Sequence, residues 1–495
     1  MAERSVIVVG GGLVGSLTAC YFAKRGWKVD LYEKRQETLI CISLHNYHIF
    51  TVDVRQPEHS HLVERRSINL AISERGFSAL RRLDASLEAR VRELAIPMHG
   101  RMIHALDGKQ TSQAYDVFGK HINSVGRNAL IKILLDAADS YAQVTLHFRH
   151  ELVDVDFDSC RATLRNADTG QQLDSHADLV VGADGAYSRV RQRMMTKVMM
   201  NYSQTYIEHG YCEFSMAPIN DEFAMSPNHL HIWPRGSFML IALPNPDKTF
   251  TCTLFMPWRH FDQIKTSDEA VGFFRANFPD ALSLMGEETM CAEYAMNPKG
   301  SLVYVKCTPH TYKNRAVILG DAAHAMVPFY GQGMNCGFED VEKLDEIMIS
   351  TLQATGVEST ETARLTDEQL LSALDEYSAT RAADTDAIVD LALDNYVEMR
   401  ARVVSYSYIL RKQLEGVLHR LFPSVVIPLY TMVSFTSIPY TAVIRQWNRQ
   451  TLWLHRSIYA ATAIAVLGAG LISAQLLGLR MPTLSKVVRA FSHHH

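Results

Sequence analysis

Glycines at 10, 12 and 15, an acid at 33, an Asp-Gly pair at 184–185 and a Gly-Asp pair at 320–321 can do chemistry through their types and spacing. The first set reads G-x-G-x-x-G between a β-branched run at 6–9 and a helical stretch, and Glu33 falls 18 residues beyond Gly15. Each glycine has a mechanical task. Gly10 makes the tight turn, Gly12 lets backbone approach a pyrophosphate, and Gly15 lets helix pack on strand. The helix start offers free N–H groups and a partial positive charge to phosphates. A carboxylate at 33 can accept from an adenosine ribose hydroxyl, which a mere glycine-rich turn does not explain. Residues 179–181 read as a second buried strand, ending in the Asp184-Gly185 turn, where small residues let a ligand come close. Residues 316–320 read as a third, followed by Asp321. Taken alone Asp321 is an N-cap; taken with the others, its carboxylate can accept from a ribityl or pyrophosphate-side hydroxyl. One nucleotide touched by all three stretches must be long, and flavin adenine dinucleotide is.

The elements that must position these residues alternate along the chain. Residues 27–32, closed by Glu33, continue the first strand–helix unit into a second strand. Residues 74–94 read as one amphipathic helix, 101–106 as a strand, 123–125 as a strand end and 127–138 as a helix. Between 211 and 256, Phe, Leu, Ile and Thr recur between turn signals at 234–236 and 245–247, the pattern of an antiparallel sheet. A helix is expected from about Asn335, a polar loop over 351–366 and a further helix over 367–404. Three prolines at 423, 428 and 439 exclude one straight helix across 422–440. Residues 457–479 carry no charge over 23 residues, against about 20 needed to cross a bilayer core. Arg456 and Arg480 bracket this run, with Trp453 and Tyr459 near one end as interfacial anchors. A buried core helix is its bland alternative; a single C-terminal membrane anchor is the expectation.

The chain has 495 residues and a net charge of -4, which gives no argument for nucleic acid. Its eight cysteines form neither C-x-x-C nor a metal-ligand spacing, so they read as small core residues in a reducing compartment. The first strand begins almost at once, which leaves no room for a signal or transit peptide. Histidines at 45, 48, 59 and 61 are too irregularly spaced for a metal site, and the region 38–64 reads as a loop. The histidines at 493–495 look like part of a purification tag.

The three nucleotide motifs resemble those of the single-component aromatic flavoprotein hydroxylases, and more narrowly the kynurenine-hydroxylating branch of that family. The residues carrying the resemblance are G-G-G-L-V-G-S (10–16), R-S-I-N-L-A-I-S (66–73), I-P-M-H-G-R-M-I-H (96–104), V-G-A-D-G-A-Y-S (181–188), L-H-I-W-P-R (230–235), F-T-C-T-L-F-M-P (250–257), G-D-A-A-H-A-M-V-P-F-Y-G-Q-G-M-N (320–335), N-Y-V-E-M-R (395–400) and I-P-L-Y-T-M-V (427–433). The glycine fingerprint is shared widely; the 395–400 and 427–433 runs are more specific.

The resemblance implies an α/β fold with a Rossmann-like FAD domain (1–96, 121–200 and 311–350). This is interleaved with an antiparallel-sheet substrate domain (97–120 and 201–310) and followed by a helical region (367–450) and the transmembrane anchor (457–479). It implies FAD as cofactor, with NADPH and O2 as co-substrates. The implied reaction is hydroxylation of L-kynurenine to 3-hydroxy-L-kynurenine through a flavin hydroperoxide, in tryptophan degradation. The implied location is the mitochondrial outer membrane, with the catalytic domain facing the cytosol. Carried over by motif, Val14, Tyr32, Glu33, Lys34, Arg35, Ala71, Arg127, Leu152, Asp184, Arg189, Asp321, Met334 and Asn335 join Gly10, Gly12 and Gly15 as FAD contacts. Arg101, Tyr115, Asn395 and Tyr430 become substrate contacts, with Phe329 and Gln332 beside the flavin's reactive face. Arg189 departs from the family, which more often has a small polar residue there, so its contact is expected through backbone.

The chemistry suits these residue types. An arginine can pair bidentately with an amino-acid carboxylate, helped by a tyrosine hydroxyl. The substrate's aniline nitrogen activates the ortho carbon, so no strong protein base is required, and no catalytic side chain is assigned. A second G-x-G-x-x-G for NADPH is absent from the sequence; a transient site near Arg189 and Arg191 is the expectation. Residues 38–64 are longer than the family's connection before R-S-I-N-L-A. Two rivals remain: a related hydroxylase with another aromatic acid as substrate, and a membrane-tethered flavoprotein that no longer turns over.

Overall fold

The β-branched run at 6–9 becomes the strand Ser5–Val9, whose apolar side chains are buried on both faces, as a central parallel strand requires. A computed structural model, which describes residues 4–36, 69–354, 356 and 364–476, places this strand inside a six-stranded sheet. The order is Thr311–Tyr312, Ala316–Ile318, Leu179–Gly182, Ser5–Val9, Lys28–Glu33 and Val144–Phe148. Every neighbouring pair is parallel except the hairpin at the Thr311–Tyr312 edge. Val9 lies opposite Gly182, and Gly182 opposite Ile318. Gly10, Asp184 and Gly320 therefore leave three adjacent strands at one level, at their carboxyl ends, where open α/β sheets bind ligands.

A seven-stranded sheet runs in the order Gly300–Thr308, Asn201–Met216, Phe250–Pro257, Met239–Pro244, His229–Pro234, Gly100–His104 and Gln110–Ala114. It is antiparallel except where Gly100–His104 lies parallel to His229–Pro234. One of its faces packs on the helices Ser267–Asn277, Pro279–Met285 and Glu287–Met296, through Trp233, Phe214, Phe274 and Phe278. Two three-stranded sheets complete the β structure of the described residues.

The helix expected over 74–94 is two helices, Glu74–Leu83 and Ala85–Glu93. Asp84 breaks it: its backbone is extended, and its side chain accepts from Ser86 N at 2.8 Å, capping the second helix. The loop expected from 351 starts later, because the helix Gly333–Ala354 runs on to residue 354. The helix Asp367–Arg400 opens with a capping box between Thr366 and Gln369. At 34 residues it is the molecule's long spacer, about 51 Å at 1.5 Å per residue. Beyond it, the prolines at 423, 428 and 439 divide the chain into the helices Tyr406–Leu421 and Leu429–Phe435 and a third beginning at Tyr440. Residues 38–64, with their histidines, lie outside the described residues.

The chain forms two compact units, Met1–Thr441 and Ala442–His495. Among the described residues, one helix, Tyr440–Ala469, is long and apolar enough to cross a membrane. The uncharged run at 457–479 begins inside the same continuous helix, Tyr440–Leu476, and its last three residues lie outside the described ones.

Candidate functional site

The glycine turn is built for two tasks. A Cβ on Gly10, at φ 104°, would lie 2.4 Å from the Ala183 carbonyl oxygen, and one on Gly15 would lie 1.8 Å from that of Gly10. Those two glycines serve chain packing. A Cβ on Gly12 would meet nothing within 4 Å, so Gly12 leaves open space at the start of the helix Leu13–Lys24. That helix has no side-chain cap and no acid in its first turn, and its opening N–H groups suit a pyrophosphate. Glu33 is buried; its carboxylate accepts from Gly11 N at 2.8 Å and from Arg35 Nε at 2.8 Å. Burial alone would raise its carboxyl, but the Arg35 guanidinium and the Arg35 and Gly11 N–H groups hold it below the usual range. Lys34 and Arg35 are exposed beside it. Tyr32 stacks on His147 at 4.4 Å and shares a core cluster with Leu152.

Asp184 caps the short helix Arg189–Met194: Oδ2 accepts from Arg189 N at 2.7 Å and Val190 N at 3.2 Å, and Oδ1 has no protein partner. The exposed Arg189 thus engages the motif through its backbone. Arg191 does not fit the expected NADPH surface. It is buried, donates to the carbonyls of Ala322 and Ala186 at 2.6 Å each, and lies over the Tyr202 ring. Two buried carbonyls captured a cation that the sequence presents as a surface charge.

Asp321 is exposed at the head of the short helix Asp321–His324. Val14 packs against Gly320 and Gly337, since a Cβ on either would meet Val14 Cγ2 within 2.9 Å. Asn335 is wholly engaged by backbone: Oδ1 accepts from Ser73 N, and Nδ2 donates to the carbonyls of Ala71 at 2.8 Å and Gly331 at 2.7 Å. It ties the strand Leu70–Ile72 to the loop before Met334, which is buried in one core cluster with Val8, Leu17 and Phe338. Arg127 is exposed at the start of the helix Arg127–Asp139.

Beneath Gly320 lies a buried charge network. Asp340 accepts from Gly320 N at 2.8 Å, from His324 Nε2 at 2.6 Å and from Arg381 Nε at 2.7 Å. Those cations overcome burial and hold Asp340 far below the usual carboxylate range, while His324 is raised well above the ordinary histidine value. His324, Cys336 and Asp340 bring ligand-type atoms within 4.8 Å of one another. Arg381 donates to both Asp340 and the Cys336 sulfur, so a guanidinium already stands where a metal ion would have to go. Arg75 extends the network, donating to Glu339 and to Val433 O and lying over the Tyr440 ring at 3.9 Å.

The residues expected to meet a substrate converge from distant parts of the chain. Arg101, on the strand Gly100–His104, is buried; Nη1 donates to Glu398 at 2.7 Å, Nη2 lies 3.4 Å from Asn395 Oδ1, and Nε has no partner. Its guanidinium lies 5.2 Å from the Tyr430 ring and 5.8 Å from that of Tyr115. Tyr115 and Tyr430 stack at 4.7 Å, and Tyr330 lies parallel to Tyr430 at 5.5 Å. The Tyr115 hydroxyl has no partner. Asn395 Nδ2 donates to the Phe329 carbonyl at 2.7 Å; Phe329 stacks on Tyr396 at 3.8 Å and meets Phe255 edge-on. Gln332 is buried but accepts from Tyr440 rather than from this group.

Several members of the site escaped the sequence reading. Glu398 sits one helical turn after Asn395, on the same face, and that i, i+3 spacing was the signal that could have found it. Burial works against its charge, and the Arg101 guanidinium with the Tyr408 hydroxyl, 2.9 Å away, keeps it below the usual carboxylate range. Lys412 is pushed down to about 8 by burial and by the charge of Arg101. Tyr330 and Tyr396 carried no signal beyond being aromatic.

The donor set fits a flavin dinucleotide: an open helix start at Gly12, a buried carboxylate at Glu33, the unpaired Oδ1 of Asp184 and the exposed Asp321 share one edge of the parallel sheet. The sequence matches the model of the FAD binding domain family over residues 3–391. The kynurenine 3-monooxygenase of Drosophila willistoni is 43% identical over 472 residues, covering 95% of this chain and 96% of that one. That of Sus scrofa is 41% identical over 457 residues, covering 92% and 89%. Among solved structures, 2-methyl-3-hydroxypyridine-5-carboxylic acid oxygenase has a TM-score of 0.59 at 19% identity, over 83% of this chain and 96% of that one. The p-nitrophenol 4-monooxygenase of Pseudomonas putida has a TM-score of 0.59 at 18% identity, over 84% and 94%. At these identities the two structures speak for the fold.

Proposed function

The chain belongs to the FAD-binding aromatic monooxygenases and, within them, to the kynurenine 3-monooxygenases, and from that premise we propose how its residues perform the reaction. It is an FAD-dependent enzyme that hydroxylates L-kynurenine at the 3-position. Bound FAD supplies the oxygen chemistry, with NADPH as reductant and O2 as co-substrate. The protein holds the cofactor, places the aromatic ring and keeps water out.

The adenosine end lies at Glu33, with Lys34, Arg35, Tyr32 and Leu152 around it. The pyrophosphate lies at Gly10–Gly15 and Val14. Asp184, Arg189 and Asp321 line the middle of the cofactor, and Ala71, Arg127, Met334 and Asn335 its flavin end. Phe329 and Gln332 stand beside the flavin's reactive face.

One observation carries the substrate reading. Arg101 is buried among tyrosines with Nε unpaired, beside a Tyr115 hydroxyl that is also unpaired. A buried donor left without a protein partner calls for one from water, an ion or a ligand, and Arg101 and Tyr115 lack theirs beside the same aromatic rings. A carboxylate supplies what both lack, and a charge-assisted pair with a guanidinium is strong and directional. The Arg101–Glu398 pair offers both signs to an amino-acid zwitterion: the guanidinium to the carboxylate, Glu398 to the ammonium. Tyr430, Phe329 and Tyr396 give the aniline ring flat apolar walls, and Asn395 fixes the Phe329 carbonyl beside them.

The reaction belongs to tryptophan degradation. The helix Tyr440–Leu476 carries the uncharged run expected of a transmembrane anchor, and the mitochondrial outer membrane, with the catalytic unit in the cytosol, is the location proposed. The domain limits given by the sequence reading belong to the same proposal.

The test is anaerobic flavin bleaching by NADPH, with and without L-kynurenine, followed by product analysis after air is admitted. Fast bleaching only with kynurenine, then a 3-hydroxylated product, is the expected result. Bleaching indifferent to kynurenine, or peroxide as sole product, would overturn the pocket assignment.

A further inference from the structure

The helix Tyr406–Leu421 is inside out. Tyr406, Leu410, Leu414, Val417 and Leu421 fall within one stripe at helical spacing, and that stripe faces out: their exposures run from 37% to 92%. Tyr408, Arg411, Lys412, Glu415 and His419 lie on the inner side, while Ser407, Gln413 and Arg420 are exposed on the flanks of the stripe. Tyr408 donates to Glu398 at 2.9 Å, His419 hydrogen-bonds the Val426 carbonyl at 2.7 Å, and Arg411 pairs with Glu415 at 2.6 Å. A helix on a water-soluble surface has the opposite sidedness. The apolar surface continues beyond the helix into Phe422 and Val425, and the loop beside it adds Phe118, all more than half exposed. Phe118 meets His419 edge-on, so loop and helix form one surface. The stripe is about 24 Å long at 1.5 Å per residue, and contiguous patches of such extent mark a membrane or a partner. The stripe itself carries no charge, and Arg420 stands at its rim.

We infer that the helix Tyr406–Leu421 lies in the interfacial plane of a lipid bilayer, its Tyr406–Leu410–Leu414–Val417–Leu421 stripe seated on the acyl chains. A bilayer is the occupant because the same chain carries a helix apolar enough to cross one. An aromatic residue at one end of the stripe and a cation at the other are the residues that settle at the headgroup level. The choice of occupant rests on the membrane reading of that tail, so the experiment tracks the two separately. The inner side of the same helix delivers Tyr408 to Glu398, the carboxylate that pairs with Arg101.

The test uses the full chain in phosphatidylcholine–phosphatidylserine vesicles. Cys41 and Cys291 are replaced by Ser, which leaves only buried native thiols among the described cysteines. A polarity-sensitive fluorophore is then attached to Leu414→Cys, Val417→Cys, Ile464→Cys in the tail, or Thr169→Cys on an exposed turn as control. Nitroxide-labelled phospholipid is expected to quench the probes at 414 and 417 severalfold more than the one at 169. Leu410→Glu with Leu421→Glu is expected to abolish the quenching at 414 while turnover in detergent stays at the wild-type rate. Quenching at 464 without quenching at 414 and 417 overturns the inference and leaves the tail as anchor. Blue-shifted emission at 414 without lipid quenching also overturns it, because protein, such as a second copy of the chain, then covers the stripe. Quenching at 414 and 417 without quenching at 464 upholds the inference and removes the transmembrane reading of the tail.

Discussion

Arg381 and Arg101 are both almost wholly buried, and they differ in what they lack. Arg381 lacks nothing: Nε meets Asp340, Nη1 meets Asp384, and Nη2 meets the Cys336 carbonyl and sulfur with the Glu339 carboxylate 2.9 Å away. Arg101 has one close carboxylate, one long contact to Asn395 and a bare Nε. A satisfied buried cation holds a fold together; the bare Nε of Arg101 is what the proposed substrate carboxylate would engage. Electrostatics alone would rank the two sites alike, and the count of unpaired donors tells them apart.

That contrast breaks most readily at Arg381. Arg381→Met leaves Asp340, Glu339 and Asp384 buried without their cation. Removing one partner of a buried pair costs about 3–5 kcal/mol, so urea unfolding should show a loss of that size, with reduced flavin content because Asp340 also holds Gly320 N. Native stability in this variant would refute a structural role. Arg101→Met should do the reverse. Its partner Glu398 is more than a quarter exposed and can rehydrate, so stability and flavin content should change little. The loss of a charged hydrogen bond, about 1.5–3 kcal/mol, should lower kcat/KM for kynurenine roughly 10- to 150-fold. Equal losses in stability for the two variants would erase the distinction.

A third prediction comes from Lys412, whose ammonium is pushed down to about 8 by burial and the Arg101 charge. Below that pH its positive charge adds to that of Arg101; above it the charge is gone. The pull on a substrate carboxylate therefore weakens as pH rises through about 8, and KM for kynurenine should rise severalfold there while kcat changes less. Lys412→Met should hold KM at the high-pH value throughout. A step that persists in Lys412→Met belongs to another group. Stability moves the opposite way: Lys412 is more readily deprotonated folded than unfolded, so the folded state gains as pH climbs from about 8 towards the ordinary lysine range.

The parts of this molecule that the sequence makes legible are those where backbone geometry admits few residues. Gly10, Gly15 and Gly320 stand where a side chain would strike backbone or Val14, and such positions announce themselves as glycine motifs before buried strands. The Arg101–Glu398 pair spans 297 residues of chain, and neither residue signals the other; only the resemblance marked Arg101. The break at Asp84 hid beneath an apolar period that continues across it. Arg191 looks like a surface cation in sequence because the carbonyls that engage its buried guanidinium leave no trace there. The stripe at 406–421 has the period of an ordinary core-facing helix, and period says nothing about which side faces the core.

The smallest effect is also the sharpest test of the unpaired-donor argument. Tyr115 stacks on Tyr430, and its hydroxyl, buried and unpartnered, is pushed far above the ordinary tyrosine range by burial. It is therefore a neutral donor at any working pH. Tyr115→Phe keeps the ring and its stacking and removes only the oxygen. The protein should lose no stability, and can gain slightly, because an unsatisfied buried group disappears. Kynurenine should lose one neutral hydrogen bond, worth about 1 kcal/mol, or roughly fivefold in KM. Thermal unfolding and steady-state kinetics on one preparation measure both. An unchanged KM with lower stability would make Tyr115 a core aromatic and leave Arg101 alone to hold the carboxylate.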